Sequence, residues 1–520
     1  MDEFLFYHVL ACRFYPLNAL NSFREACGSY DLNLLNTGWI LPLRSNAYVG
    51  SFPSLYYLPI FLLWRSPDSA RLVGLLFLLA QAMILARLFY RKTAVLFGVL
   101  LLFFPYAYQH IADTGPISFQ ITSIFLIILL TRRWFRDQRM HWLLCCTALV
   151  FLGIWTKLVY FWLLPGIALS VLPTVLEHAK KRYQDGTYVK LGVQAIVPGA
   201  VLLALLTTLF LSTDPTDASV RPLLNQVLGG EMYSLSELAK NFWNLGVTHA
   251  LLNPLEATQR VFDVHAPTTF VYLWNAVMFL SVPILLLLCT FTGSSRRNIL
   301  KATIYYVAFW LTFFIIARTK AAWAMHHTVL SFPFLILSVL ATLHCLRDSH
   351  WHAQWKNQLR DCAGVILACF IAGNIAWYLT FPFEQRHAND DFSKVTLNRL
   401  LEDHTFASNH LYVVTHWGMY YYQVLFGDRS QAVVYIEPLD SMGKVHSLRN
   451  TAMSHGRKIA FLYDATAAAA DLTLARDSFN LGNDTCIATD ATWQMLLEDP
   501  TDSVCKTRKD PSMAAAVIVP

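Results

Sequence analysis

The sequence predicts an α-helical polytopic membrane protein of about ten spans with a small α/β soluble domain at its C-terminal end. Of the 520 residues, 55% are hydrophobic and 14% charged, and mean hydropathy is +0.42, whereas a soluble globular chain carries about 25% charged residues. Most of this chain therefore has the bilayer as its solvent. Its apolar residues gather into runs that approach or exceed the roughly 20 residues a helix needs to cross about 30 Å of hydrocarbon. Neither a core helix nor one signal peptide accounts for them. After Phe381 the pattern changes to short β-branched and aromatic segments set between polar stretches.

The spans are expected at 69–89, 93–110, 116–131, 141–155, 158–175, 192–212, 269–291, 303–318, 328–345 and 361–381. Basic residues in the connections orient them. One alternating set of connections holds seventeen lysines and arginines in five clusters, around Arg87 to Lys92, Arg132 to Arg139, Lys180 to Lys190, Arg296 to Lys301 and Arg347 to Arg360. The opposite set holds six, Lys157, Arg221, Lys240, Arg260, Arg318 and Lys320, although it includes the longest loop. Lysine and arginine accumulate on the cytoplasmic side. Residues 1–68, the loop at 213–268 and everything after 381 are therefore expected to face outward. The organisation that follows is an outer-face segment with interfacial helices at 1–68, a transmembrane core at 69–381 and an extracytoplasmic α/β domain at 382–520, in a multi-pass protein of the cell (inner) membrane.

Two segments bear on that orientation. Tyr48 to Trp64 is apolar, and the charge bias favours its lying along or re-entering the outer interface, which Pro53, Pro59 and its aromatics suit. Were it to span, either the N-terminus or the charge pattern would invert. Asp2 and Glu3 would lie outside with no helix before them to export them, which implies a further span ahead of Met1 and eleven in all.

In the tail, Leu411 to Thr415, Ala432 to Ile436 and Ile459 to Tyr463 read as strands, and Val395 to Asp403 as a helical stretch. The tail has no glycine-rich phosphate loop, no zinc-type spacing and no basic stripe, so nucleic acid is not among the expected partners. Of the ten cysteines, Cys145, Cys146, Cys289, Cys345, Cys362 and Cys369 lie in or beside apolar runs, where a free cysteine behaves as a small hydrophobe. Cys486 and Cys505 are the pair in the polar tail and are compatible with one disulfide in an oxidising compartment.

The chemistry-bearing residues are the ionisable ones on the outer side, because charge beside apolar helices is costly. Asp2 and Glu3 open the segment DEFLFYH. Asp113 stands in HIADTGPISF before Pro116, where a helix N-cap is its structural alternative. Lys157 lies in GIWTKLVYFWLLP, placed against the positive-inside gradient. Arg318, Lys320, His326 and His327 form a cationic cluster in ARTKAAWAMHHTVLSFPFLIL. Paired carboxylates such as Asp2 and Asp113 can supply a general base or hold a divalent cation. Lysine, arginine and histidine can bind a phosphate and stabilise it as it leaves. Together these are the means to displace a phosphate from a membrane-bound donor.

The order of these pieces resembles the C superfamily of membrane glycosyltransferases (GT-C), in particular the bacterial branch related to protein O-mannosyltransferases and the lipid A aminoarabinose transferase. The resemblance runs through DEFLFYH, the aromatic and proline-rich SFPSLYYLPIFLLW, Arg71 and Leu72, ADTGPISF, GIWTKLVYFWLLP and RTKAAWAMHHTVLSFPFLIL, over roughly residues 1–345. It implies a polyprenyl-phosphate-linked sugar as donor, a lipid, glycan or protein acceptor in the envelope, and inverting transfer at the outer face. It also implies Asp2 as catalytic base, assisted by Glu3 and Asp113, with Lys157, Arg318, Lys320, His326 and His327 at the donor phosphate. Two other classes stay open. A transporter would show internal repeats and mid-span charges, which the sequence lacks. A non-catalytic envelope assembly factor would act through its soluble tail.

Overall fold

The structure, a computed structural model, describes residues 31–33, 40–42, 44–46, 49–65, 67–89, 116–184, 188–211, 233–234, 236–238, 280, 282–291, 295–319, 329–347, 408–414, 432–435, 454, 456–464, 486–489, 493–497 and 516–518. The chain folds as two compact units. One comprises Met1–Ser45, Ser54–Pro67 and Phe383–Pro520, the other Asn46–Pro53 and Asp68–Pro382.

The helices are α1 (Phe52–Leu63), α2 (Pro67–Leu88), α3 (Pro116–Asp137), α4 (Met140–Thr156), α5 (Leu164–Gln184), α6 (Tyr188–Leu211), α7 (Arg296–Arg318) and α8 (Phe332–Arg347). A 3-10 segment, Leu158–Leu163, runs into α5, and a 3-10 turn, Val329–Ser331, leads into α8. Among the described residues five stretches are long and apolar enough to cross a membrane: Arg71–Leu88, Pro116–Asp137, Leu158–His178, Arg296–Arg318 and Val329–Leu346. They coincide with five of the expected spans. The helices at Met140–Thr156 and Val282–Phe291 are shorter, the apolar stretch described within α6 is Ile196–Thr208, and the spans expected at 93–110 and 361–381 lie outside the described residues. At 12 residues α1 is about 18 Å long, shorter than a helix needs to cross the hydrocarbon.

One helix shows what solvent the bundle has. On α2, Leu72, Leu75, Leu76, Leu79 and Met83 are exposed, at spacings of three and four that put them on one face. Ser69, Val73, Leu78, Gln81, Leu85 and Leu88 occupy the buried face. An uncovered leucine stripe of that length is what lipid, rather than water, accommodates. Among the described spans the most enclosed are α3 and Val329–Leu346, 72% and 78% buried against 33% for Arg71–Leu88.

Polar side chains join helices across these faces, as lipid supplies no hydrophobic drive for their association. Gln81 Nε2 donates to Thr122 Oγ1 at 3.0 Å, linking α2 to α3, and Ser338 Oγ donates to the Ala302 carbonyl at 2.9 Å, linking α8 to α7. A Cβ on Gly166 would lie 2.3 Å from Thr312 Oγ1 and 2.8 Å from the Phe334 ring, so the missing side chain lets α5, α7 and α8 meet. Between α3 and α4 the chain reverses within two residues. Gln138 takes a left-handed φ of 55° there, its backbone N–H donates to the Trp134 carbonyl at 2.7 Å, and its side-chain Nε2 donates to the Phe135 carbonyl at 3.0 Å.

In the other unit, short strands β1 (Asp31–Asn33) and β2 (Ile40–Pro42) pair antiparallel; β3 (Arg44–Asn46) begins there, and β4 (Val49–Gly50) belongs to the unit described above. The tail forms one six-stranded sheet from β5 (His410–Val414), β6 (Ala432–Tyr435), β7 (Lys458–Asp464), β8 (Cys486–Thr489), β9 (Trp493–Leu497) and β10 (Ala516–Ile518), in the order β10-β8-β9-β7-β5-β6. β5 runs parallel to both β6 and β7, and the remaining neighbours are antiparallel. Leu411, Tyr412 and Val413 are consecutive and all buried. Both faces of β5 are therefore covered, which fits a strand in a parallel layer. Arg457 Nη1 donates to the His410 carbonyl at 3.2 Å beside the start of that strand.

Candidate functional site

The site is built where α4 stops. Lys157 follows Thr156 in an extended conformation, φ −161° and ψ 132°, and the 3-10 segment begins at the next residue. A helix interrupted in this way leaves carbonyls without their usual partners. Gln120, fully buried near the start of α3, adds its two amide hydrogens to two carbonyls of the break that also accept backbone N–H groups. Its Nε2 donates to the Gly153 carbonyl at 3.1 Å and to the Lys157 carbonyl at 2.9 Å. The Lys157 N–H reaches the Gly153 carbonyl at 3.3 Å, and the Tyr160 N–H reaches the Lys157 carbonyl at 3.0 Å.

Tyr160 fixes the break from the other side. Its hydroxyl lies 2.7 Å from Ser123 Oγ, and Ser123 Oγ itself donates to the Gln120 carbonyl at 2.7 Å. Its ring lies so close to Gly153 that a Cβ there would be 2.5 Å to 2.7 Å from three ring atoms. On the opposite flank, Gly50 meets the backbone of Trp155, with a hypothetical Cβ only 1.5 Å from the Trp155 carbonyl oxygen. Phe52 packs edge-on against Phe119 at 5.0 Å and beside Trp155 at 5.6 Å.

The result is a lysine that is 3% exposed, in a region where a buried ammonium is expensive. Near it, the head of α3 carries two buried polar atoms, Ser118 Oγ and Gln120 Oε1, with no hydrogen-bond partner among the described residues. Orphaned buried polar atoms are uncommon and cost about 1–3 kcal/mol each. A polar group brought to this end of the bundle would recover part of that.

Arg318 is the last residue of α7, and it is exposed; its carbonyl accepts from the Tyr233 N–H at 3.0 Å. Lys157 and Arg318 lie at the same end of the bundle. Gly166, nine residues after Lys157, faces Thr312, six residues before Arg318, and both meet Phe334 at the start of α8. The other expected site residues, Asp2, Glu3, Asp113, Lys320, His326 and His327, lie outside the described residues. So do the carboxylates expected to hold a cation. Among the described residues no three His, Cys, Asp or Glu side chains gather as a metal site.

Gln120, Ser123, Gly153 and Tyr160 were not singled out in the sequence. The available signal was that polar Gln120, Thr122 and Ser123 interrupt the first turns of an otherwise apolar span.

No protein-family model matches the chain, and no curated protein matches it. Solved structures do. ArnT from Cupriavidus metallidurans bound to undecaprenyl phosphate matches with a TM-score of 0.52 at 13% identity, over 96% of this chain and 96% of that one. The apo state of the same protein matches with a TM-score of 0.49 at 15% identity, over 95% and 96%. Along nearly its whole length, this chain has the fold seen in ArnT with undecaprenyl phosphate bound.

Proposed function

We propose that the chain is an inverting glycosyltransferase that moves a sugar from a polyprenyl-phosphate-linked donor to a lipid, glycan or protein acceptor at the outer face of the membrane. The observation that carries this reading is the likeness of the whole chain to ArnT bound to undecaprenyl phosphate. It agrees with the resemblance drawn from the ordered sequence motifs. The buried Lys157 and the unpartnered Ser118 Oγ at the head of α3 support it, because an anionic leaving group needs a preorganised receptor of cations and hydrogen-bond donors.

In this mechanism Asp2 takes the acceptor hydroxyl proton as the acceptor oxygen bonds to the anomeric carbon. The bond from that carbon to the phosphate oxygen breaks, and its electron pair leaves with the polyprenyl phosphate. Lys157, with Arg318, Lys320, His326 and His327, binds the departing phosphate, while Glu3 and Asp113 assist the base. Asp2 and Asp113 are also the residues that would hold a divalent cation, which when bound would neutralise charge on the phosphate.

The test is transfer by the purified protein from a synthetic undecaprenyl-phosphate-linked sugar, followed by release of undecaprenyl phosphate. Asp2→Asn is expected to lower turnover by roughly 100-fold to 10,000-fold, with folding unchanged. Full transfer by Asp2→Asn would remove Asp2 from the mechanism, and release by neither enzyme with any donor would remove the reading itself.

A further inference from the structure

At the end of the bundle opposite Lys157, three helices close around a cavity of about 260 Å³. It is lined by Leu88 and Phe89 at the end of α2, Asn298 and Lys301 from α7, and Ala341 and His344 from α8. That is many times the roughly 10–15 Å³ that one water needs. A fourth helix contributes Arg132. Its Nη1 donates to the Leu88 carbonyl at 2.8 Å, its Nη2 to the Tyr305 hydroxyl at 3.2 Å, and its guanidinium lies 5.9 Å from the centre of the Phe89 ring. Arg297 and Glu177 also lie within electrostatic reach of Lys301, and Glu177 is paired with Arg297.

We propose that this cavity binds a phosphate-bearing anion, either an anionic phospholipid headgroup at the bilayer surface or free phosphate, with Lys301 as the contacting cation. The division of labour among the cations points there. The Arg132 fork is engaged with Leu88 and Tyr305, so it builds the wall and adds positive field. Lys301 carries a compact charge and three donors on a flexible stem and lines the space itself. Asn298 and His344 add polar atoms, and Leu88, Phe89 and Ala341 add apolar wall. Basic, partly apolar pockets between helices suit a headgroup phosphate with the start of its glycerol backbone. Charges that merely obey the positive-inside bias have no need of a cavity. Arg296, on the same helix, is exposed, whereas Lys301 is partly buried.

The test uses the full chain purified in detergent and titrated separately with phosphatidylglycerol, phosphatidylcholine and inorganic phosphate. Retained lipid is counted by native mass spectrometry and Tm is followed in parallel. Lys301→Gln is expected to reduce phosphatidylglycerol retention by more than about five-fold, the most that one surface lysine contributes. Phosphatidylcholine retention should not change, Lys301→Arg should keep most of the effect, and the exposed-site control Arg296→Gln should lose less than Lys301→Gln. A Tm rise with phosphatidylglycerol alone assigns a lipid headgroup, and a Lys301-dependent rise with inorganic phosphate assigns free phosphate. If Lys301→Gln does not fold, Asn298→Leu should show the same selective loss. Unchanged retention and Tm in Lys301→Gln, an equal loss in Arg296→Gln, or, where Asn298→Leu stands in, its unchanged retention, would overturn the proposal.

Discussion

Replacing Gln120 by Leu approximately keeps the side-chain volume and removes the amide that bridges the interrupted helix. Two hydrogen bonds are lost, to Gly153 at 3.1 Å and to Lys157 at 2.9 Å. Neither carbonyl is stranded, because the Lys157 N–H still reaches one and the Tyr160 N–H the other. At about 0.5–1.5 kcal/mol per bond the loss is about 1–3 kcal/mol. Removing the unpartnered Gln120 Oε1 recovers about 1 kcal/mol of that. The net cost of about 0–2 kcal/mol corresponds to a Tm drop of no more than about 5 °C. The effect on chemistry is expected to be larger, because displacing a substrate-contacting group by about 1 Å can cost roughly 100-fold. Tm of the purified protein and release of polyprenyl phosphate are measured on the same preparation. If transfer falls only in proportion to the folded fraction, or Tm falls by more than about 10 °C, Gln120 does not position Lys157 in the way described.

Gly50→Ala should prevent accumulation of folded protein, since its Cβ would meet the Trp155 backbone at 1.5 Å; normal yield and Tm would refute the packing. Gly153→Ala instead meets the Tyr160 ring, so it should cost about 1–3 kcal/mol, and Tyr160→Ala in the same chain should relieve part of the Tm loss. On the proposed mechanism Lys157→Ala should raise KM for the donor and lower kcat, because the charge would meet the phosphate before and during departure; a change in neither would separate Lys157 from the donor. A C-terminal alkaline phosphatase fusion should be active and Cys486 and Cys505 should resist alkylation without reductant. An inactive fusion would overturn the outward placement of the tail.

Five of the expected spans were legible because hydropathy reads the thickness of the hydrocarbon, but for the same reason it misjudged where the helices begin and end. The apolar run expected at 116–131 belongs to a helix that continues to Asp137, through Arg132, Arg133 and Arg136. Backbone hydrogen bonding does not stop where lipid does. In the same way α7 begins at Arg296 rather than 303, and α5 continues to Gln184. The strands at 410–414, 432–435 and 458–464 fall within a residue or so of their expected places, because β-branched runs between polar stretches carry that signal locally. Lys157 was visible as a cation on the sparse side of the charge pattern. Its support was not, because the pairing of Gln120 with Gly153 and Lys157 joins positions more than thirty residues apart, and nothing in their spacing announces it.

The interruption at Lys157 also brings two helix ends face to face. The carboxyl end of α4 contributes about half a negative charge there, and the amino end of the 3-10 segment running into α5 about half a positive one. These partial charges belong to peptide groups held by Gln120 and Tyr160, so they do not titrate. A phosphate arriving beside the lysine would meet a field that is the same at every pH and that stays in place after the leaving group has gone. Substitutions at position 157 change only the ammonium's share of that field, and the share written into the backbone remains.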